Sequence, residues 1–224
     1  MSEPVEIDLD AFWSLIDQAK EHQGEADEWL RGQLIAQGPE QAVIFDVISG
    51  VYRSLAHQYG IWCAASVIDE SCTTNSGFDS FKAWLVGQGR EVYMAALKEP
   101  DSLADVPACD DYYFESLGYV GDLTYAKLTG RDGYSSFDRN TYQALVDELK
   151  KDVVYGEGID YPYTWSETAA YLPRLCAKYL TPERLAWLIQ NHNDTWNVTS
   201  PDIQEARATA QKSKKVKKNR GESR

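Results

Sequence analysis

Two glycines flank a single glutamine, Gln88, near the middle of this sequence, and Arg90 follows directly. A glycine inside a helix costs about 1 kcal/mol, so Gly87 and Gly89 predict a sharp turn between two helices. Residues at the end of an element often position ligands. Gln88 and Arg90 are therefore candidate binding residues, and the second helix is expected to end before Pro100.

The helix before this turn contributes two more candidates, Asp79 and Lys82. Aromatic and aliphatic side chains at helical spacing form one stripe on this helix, which predicts burial of that stripe. The stripe consists of Phe78, Phe81, Trp84 and Leu85. Asp79 and Lys82 fall on the polar side. Together with Gln88 and Arg90 they form the predicted ligand or partner site.

The three histidines and four cysteines show no recognisable catalytic or metal-binding pattern. His57 and His192 lie near predicted helix ends, where an imidazolium favours the helix dipole, so we expect structural roles. The apolar surroundings of Cys63 predict a raised thiol pKa and low reactivity. Buried free thiols are expected for all four cysteines: Cys63, Cys72, Cys109 and Cys176. No catalytic residue, cofactor or metal is predicted.

Carboxylates are abundant, and one pair has a spacing that suits shared chemistry. Asp111 and Glu115 lie four residues apart, on one face of a predicted helix, where they could share a cation or a proton. The sequence supplies no further ligands of the kind that a metal ion requires. A solvated acidic face is the simpler interpretation, with Asp110 and Asp111 capping the helix.

Helical periodicity dominates the sequence, and strand-like alternation is scarce. The sequence predicts an all-α fold, a single compact domain of about eight or nine helices within residues 1–200. Gly38 followed by Pro39 marks a helix boundary, and Gly130 marks another. Residues 61–70 are apolar nearly all round, which indicates a central helix.

Three further boundaries are expected from local signals. Gly60 is predicted to end or bend the helix that begins at Pro39. One helix is predicted to begin near Asp110 and to continue to Gly130. Residues 165–179 are predicted to form one helix.

The charge of the chain is unevenly distributed. The net charge is −13, yet the last fourteen residues hold seven Lys or Arg against one Glu, which leaves −19 on residues 1–210. An acidic body repels phosphates and favours a basic protein partner. Residues 201–224 are expected to be a helix end and a disordered basic tail, and weak association of this tail with nucleic acid is the alternative.

Membrane and export signals are not apparent in the sequence. No apolar run approaches the roughly 20 residues that cross a bilayer, and the N-terminal segment is acidic where a signal peptide would be basic and then apolar. We therefore expect a cytoplasmic protein with no membrane partner.

Three segments together resemble a known family: AFWSLIDQAK, IWCAASVIDESC and FDSFKAWLVGQGREVYMAALKEPDSLA. The family is a bacterial one, domain of unknown function number 4240, and the resemblance covers about residues 9–130. Its members usually carry a Ser-Asp-Asp run after the position of Cys72, and an arginine at the position of Lys82. The resemblance implies no established reaction.

Two classes of function follow from these observations. The first is an acidic helical module that binds a protein partner, of a regulatory or immunity type, with aromatic side chains at its interface. The second is an enzyme or small-ligand protein, with a pocket where the turn at Gly87–Gly89 meets the helices that bear Trp13 and Trp62. The mixed charges at Asp79, Lys82 and Arg90 favour this second class.

Overall fold

The computed structural model of the chain describes residues 8–22, 24–71, 73–107, 115–131, 133, 139–156, 162 and 164–191. In these residues the chain is all-α, with eleven α-helices and no β-strand. The helices are α1 Leu9–Lys20, α2 Ala26–Gln37, α3 Pro39–Leu55, α4 Tyr59–Ile68, α5 Asn75–Gly87, α6 Arg90–Lys98, α7 Val120–Thr129, α8 Arg139–Leu149, α9 Trp165–Tyr171, α10 Pro173–Tyr179 and α11 Pro182–Asn191. Short 3-10 segments cover Pro100–Asp105, Glu115–Gly118 and Lys150–Asp152.

Three helix boundaries are set by local capping groups or glycines. The Asp8 carboxylate accepts a hydrogen bond of 2.9 Å from the Ala11 backbone N–H, which satisfies a free donor at the start of α1. Gly38 has a φ of 96°, so it ends α2 in a conformation that favours glycine, and Pro39 begins α3. Gly130 is left-handed and ends α7. The predicted boundaries at Gly38 and Gly130 are confirmed.

One continuous core joins the helices into a single compact domain, as predicted. Its centre is a group of aromatic side chains from three helices. The Trp13 indole N–H donates to the Tyr52 hydroxyl at 3.3 Å, and the Tyr93 hydroxyl donates to the Tyr52 carbonyl at 2.6 Å. The rings of Tyr52 and Tyr93 meet edge to face, with centroids 5.2 Å apart. The indole N–H of Trp13 and the hydroxyl of Tyr93 thus have partners within this aromatic group.

The helix count exceeds the prediction partly because residues 165–179 form two helices. The chain leaves α9 at Leu172, where ψ is 58°, and Pro173 then begins α10. A proline has no backbone N–H and clashes with the preceding turn, so one helix cannot run through it. The predicted single helix is wrong at this point, and the proline was the available signal.

Gly60 has a different role from the one predicted. The helix α3 already ends at Leu55, and Gly60 is the second residue of α4. A Cβ at Gly60 would lie 2.7 Å from the Tyr171 hydroxyl oxygen and 3.0 Å from Pro100 Cγ. Gly60 therefore permits close packing of α4 against two distant parts of the chain.

The predicted helix from Asp110 to Gly130 is described only in part. Residues 110–114 lie outside the described residues, Glu115–Gly118 forms a 3-10 turn, and α7 begins at Val120. The expected domain end near residue 200 and the tail at 201–224 also lie outside. None of the described helices is long and apolar enough to span a membrane.

A buried carboxylate attaches the C-terminal helices to the first half of the chain. Asp101 is 7% exposed, and its Oδ1 accepts hydrogen bonds from the backbone N–H groups of Arg174 at 3.1 Å and Leu175 at 3.0 Å. These donors lie in the first turn of α10 and have no partner within their own helix. Asp101 thus fixes α10 against the 3-10 segment Pro100–Asp105.

A close helix crossing brings α7 onto α3 at Gly121. A Cβ at Gly121 would lie 2.6 Å from the Ala42 carbonyl oxygen and 2.9 Å from the Asp46 backbone nitrogen. Real Cβ contacts are not this short, and the atoms that would clash belong to a helix backbone, which cannot move aside alone. Only glycine allows α7 to approach α3 in this way.

We predict that Gly121→Ala lowers the free energy of unfolding by about 1–3 kcal/mol, because the added methyl forces α7 away from α3. Urea denaturation followed by far-ultraviolet circular dichroism measures this change. Gly32→Ala in α2 is the matched control: Gly32 is exposed, and no atom lies within 4 Å of its Cβ position. The control should be stabilised by up to about 1 kcal/mol through helix propensity. Equal effects of the two substitutions would contradict the close crossing.

Candidate functional site

The glycine turn has the predicted geometry. The helix α5 ends at Gly87, Gln88 forms the turn, and α6 begins at Arg90. Gly89 has a φ of 89°, and a Cβ there would lie 2.4 Å from Asp17 Oδ1. The positive φ alone accounts for glycine at this position. The turn is therefore tight and lies against the C-terminal end of α1.

Asp79 and Lys82 form an ion pair in the middle of α5, with 2.7 Å between Lys82 Nζ and Asp79 Oδ1. The two side chains differ in exposure, at 8% for Lys82 and 66% for Asp79. Lys82 Nζ also lies 3.3 Å from His57 Nδ1 and 5.0 Å from the centre of the Phe78 ring. Asp79 and His57 therefore stabilise a buried ammonium group, and this contact gives His57 a structural role.

Gln88 and Arg90 lie beyond the C-terminal end of α5, and Gln88 is about 13 Å along the helix axis from Asp79. The Arg90 guanidinium contacts Asp10 at 3.4 Å and Asp152 at 3.3 Å. It thereby joins α6 to α1 and to the segment after α8. The four predicted residues thus lie in two places: Asp79 and Lys82 within α5, and Gln88 and Arg90 at the turn that follows it. Whether any of them binds a ligand or partner stays a prediction.

A groove of about 500 Å³ lies beside the glycine turn. Its walls are the end of α1, parts of α5 and α6, and the chain from the 3-10 segment Pro100–Asp105 to Pro107. Its polar lining residues are Lys20, Gln88, Glu91, Ser102 and Asp105. Of the four predicted residues, Gln88 is the one that lines it. The volume is in the range of small-molecule sites, which is roughly 300–1,000 Å³.

A second feature, the outer face of α7, was not predicted from the sequence. Tyr119 directly precedes α7, and Leu123 lies one helical turn further along. The exposed fraction is 56% for Tyr119 and 54% for Leu123. We use the name α7 face for Tyr119 and Leu123. The opposite side of the helix is buried through Val120, Gly121 and Thr124. The sequence did contain a signal for this face, because residues 119–128 are apolar on two sides of the helix. A helix with one buried face needs only one apolar stripe, so the second stripe indicates an exposed apolar face.

A half-buried carboxylate, Asp46, lies at the crossing that sets the orientation of α7. The Asp122 backbone N–H donates to Asp46 Oδ1 at 3.3 Å, and the Asp122 carboxylate accepts from the Gly133 N–H at 3.0 Å. Burial raises the pKa of Asp46 from 3.8 to about 6, although the Asp122 N–H and the positive charge of Arg53 oppose the shift. The fold is therefore less stable with Asp46 charged, as it is at neutral pH, than with Asp46 protonated.

Two of the four cysteines lie in the described residues, and both are buried free thiols as expected. Burial raises the pKa of the Cys63 thiol well above its usual value. Burial, assisted by the negative charge of Asp101, raises the pKa of Cys176 to about 11. Neither thiol is an activated nucleophile at neutral pH. Cys72, Cys109 and the Asp110–Asp111 pair lie outside the described residues.

Within the described part of the chain, no group of three or more His, Cys, Asp or Glu side chains is arranged to hold a metal ion. The features that the structure does present are a groove with polar and apolar lining residues and an exposed apolar helix face.

The chain belongs to the family described as protein of unknown function (DUF4240), whose model matches residues 7–127, more than half of its length. The match includes the glycine turn, the groove and the α7 face, and it confirms the family that the sequence analysis identified. No curated protein and no solved structure matches the chain.

We predict that Asp46→Asn raises the free energy of unfolding above pH 7 by about 1–3 kcal/mol and changes it little near pH 4. The folded protein favours the protonated carboxyl, so the cost of Asp46 is small near pH 4, grows as pH rises from about 4 to about 6, and is constant at higher pH. Urea denaturation at a series of pH values measures the difference.

Asp147→Asn is the matched control, because Asp147 is an exposed residue of α8 and its loss changes the net charge equally. The control should show no comparable step in stability between pH 4 and pH 7. If both variants gained the same stability at every pH, general charge repulsion rather than burial of Asp46 would explain the effect.

Proposed function

We propose that this protein is an acidic protein-binding module, of a regulatory or immunity type, and that the α7 face contacts the partner. The observation that carries the proposal is the exposure of Tyr119 and Leu123 next to each other on one helix. We expect the module to act in the cytoplasm, as the sequence analysis predicts.

The side chains of the α7 face suit the centre of a protein interface. Tyrosine is enriched at interfaces because its ring buries a large apolar area while its hydroxyl keeps a polar contact. Such residues often carry most of the binding free energy, and truncation of one can cost 2 kcal/mol or more. Leu123 enlarges the apolar surface by a side chain one helical turn away. An apolar pocket on a partner could therefore take both residues together.

The overall charge favours a partner with a basic surface. The chain carries a net charge of −13, which raises the rate of encounter with a positively charged protein at low salt. The α7 face is thus expected to supply most of the affinity, and the acidic surface is expected to raise the association rate and the selectivity for a basic partner. The partner is thus expected to combine an apolar pocket with surrounding Lys or Arg residues.

A second candidate function is supported by the groove beside Gln88, which has the volume of a small-ligand site. An enzyme activity at this groove stays a prediction. Weak nucleic-acid association through residues 201–224 also stays a prediction, since that segment lies outside the described residues.

We predict that Leu123→Asp weakens binding to the partner at least tenfold, because the substitution places a charge in an apolar contact. A photo-crosslinking amino acid at position 119 of the full chain first captures and identifies the partner in cells. The dissociation constant of the purified pair is then measured by isothermal titration calorimetry.

Val154→Asp is the matched control, because Val154 is 60% exposed and lies outside the α7 face. This variant has the same added charge and should bind as the wild type does. Both substitutions are at exposed positions, so both should fold with little loss of stability. Equal weakening by the two substitutions, or none by Leu123→Asp, would rule out the α7 face as the contact.

A further inference from the structure

The groove beside the glycine turn combines an apolar wall with a polar rim. The apolar part of its lining is formed by Trp84, Val92, Ala95, Val106 and Pro107. Trp84 is only 2% exposed, so it lies under the groove as part of the core and offers little surface. The accessible apolar surface comes from half-buried Val92 and exposed Ala95, which could contact the apolar part of a ligand.

The positive charges at the groove are already engaged by the protein itself. Lys20 Nζ donates a hydrogen bond of 2.7 Å to the main-chain oxygen of Gln88, and it lies 3.8 Å from Asp17 Oδ1. Lys20 thereby neutralises the negative end of the α5 dipole. Arg174 forms an ion pair with Asp105, so that carboxylate is also engaged.

Three polar groups of the lining remain available, and all of them can accept hydrogen bonds. Glu91 and Ser102 have no side-chain hydrogen bond or ion pair with any residue that the structure describes. The Gln88 amide N–H donates to the Trp84 carbonyl at 3.3 Å, which leaves the side-chain oxygen of Gln88 as an acceptor. The available groups are thus one carboxylate, one amide oxygen and one hydroxyl.

A lining of this kind is complementary to a donor that carries positive charge. A protonated amine offers three N–H donors and no acceptor, so it can match a carboxylate, an amide oxygen and a hydroxyl together. An anion would meet the Glu91 carboxylate, whereas Lys20, the cation of the lining among the described residues, is already paired with Asp17 and the Gln88 oxygen. The net charge of −13 adds to the preference for a cation.

We propose that this groove binds a small organic cation, a primary amine on an apolar body, with Glu91 as its counter-ion and with Val92 and Ala95 beside its apolar part. The site is separate from the α7 face, and it does not depend on the proposed protein partner. Gln88, which the sequence analysis selected, contributes its side-chain oxygen.

Three probes of nearly the same shape test the proposal on the full chain: phenethylamine as the cation, phenethyl alcohol as the neutral analogue and phenylacetate as the anion. Titrations followed by amide chemical shifts in nuclear magnetic resonance spectra give the dissociation constants. We expect saturable binding of phenethylamine at about millimolar concentration, a range that suits a ligand of this size. The alcohol should bind at least fivefold more weakly, and phenylacetate more weakly still.

Two variants with matched charge separate the role of Glu91 from the general negative charge. Glu91→Gln removes the counter-ion in the groove and should weaken phenethylamine binding at least fivefold. Glu28→Gln removes an exposed carboxylate of α2, outside the groove, and should leave binding within a factor of two. The same spectra show whether each variant is folded.

A third variant keeps the test decisive if Glu91→Gln disturbs the fold. Ala95 is an exposed residue of the lining, and Ala95→Phe should fill the groove and abolish binding. Equal affinity for the amine and phenylacetate would overturn the proposal. The proposal would also be overturned if the two Glu variants weakened binding equally, or if Ala95→Phe left binding unchanged. The absence of saturable shifts with phenethylamine would overturn it as well.

Discussion

The contact between α3 and α7 at Gly121 determines which side of α7 faces the solvent. Because a Cβ at this position would lie 2.6 Å from the Ala42 carbonyl oxygen, the two helix backbones touch and α7 cannot rotate or withdraw without losing the contact. Val120 and Thr124 are thereby buried, and Tyr119 and Leu123 stay exposed. The carboxylate of Asp46 lies at the same crossing, so the stability of this arrangement depends on pH.

The groove depends on a different set of constraints, which hold three elements around one turn. The positive φ of Gly89 sets the direction in which α6 leaves α5, and Lys20 joins the end of α1 to the main-chain oxygen of Gln88. The fourth wall is the chain from the 3-10 segment Pro100–Asp105 to Pro107. It is held by the C-terminal half of the protein, because Asp101 in this segment caps α10. Helices beyond the family match at residue 127 therefore help to shape a site that lies within it.

Local signals account for what the sequence predicted. The glycine turn and the boundary at Gly38 are decided by backbone preferences of neighbouring residues, and so they could be predicted. The contact of Arg90 with Asp152 and that of Lys20 with Gln88 join residues more than sixty positions apart. Such contacts depend on the packing of whole helices, and periodicity carries no information about them.

The same limit explains why the α7 face and Glu91 were missed, although Gln88 was selected. An exposed leucine and a buried leucine look alike in a sequence until the neighbour that covers one of them is known. Residues 119–128 are apolar on two sides, and only the position of Gly121 against α3 distinguishes the buried side from the exposed one. Glu91 is one of many acids in the chain, and it stands out only because it lines a groove without a partner among the described residues.

The central claim is that α7 is held with Tyr119 and Leu123 outward so that a partner can cover them. Hydroxyl-radical footprinting of the full chain, purified and in the cells that express it, tests this claim most directly. Tyr119 and Leu123 should be labelled readily in the purified protein and several-fold less in cells, whereas Trp187, which is 45% exposed, should be labelled equally in both. Equal labelling of Tyr119 in both settings, relative to Trp187, would contradict the account.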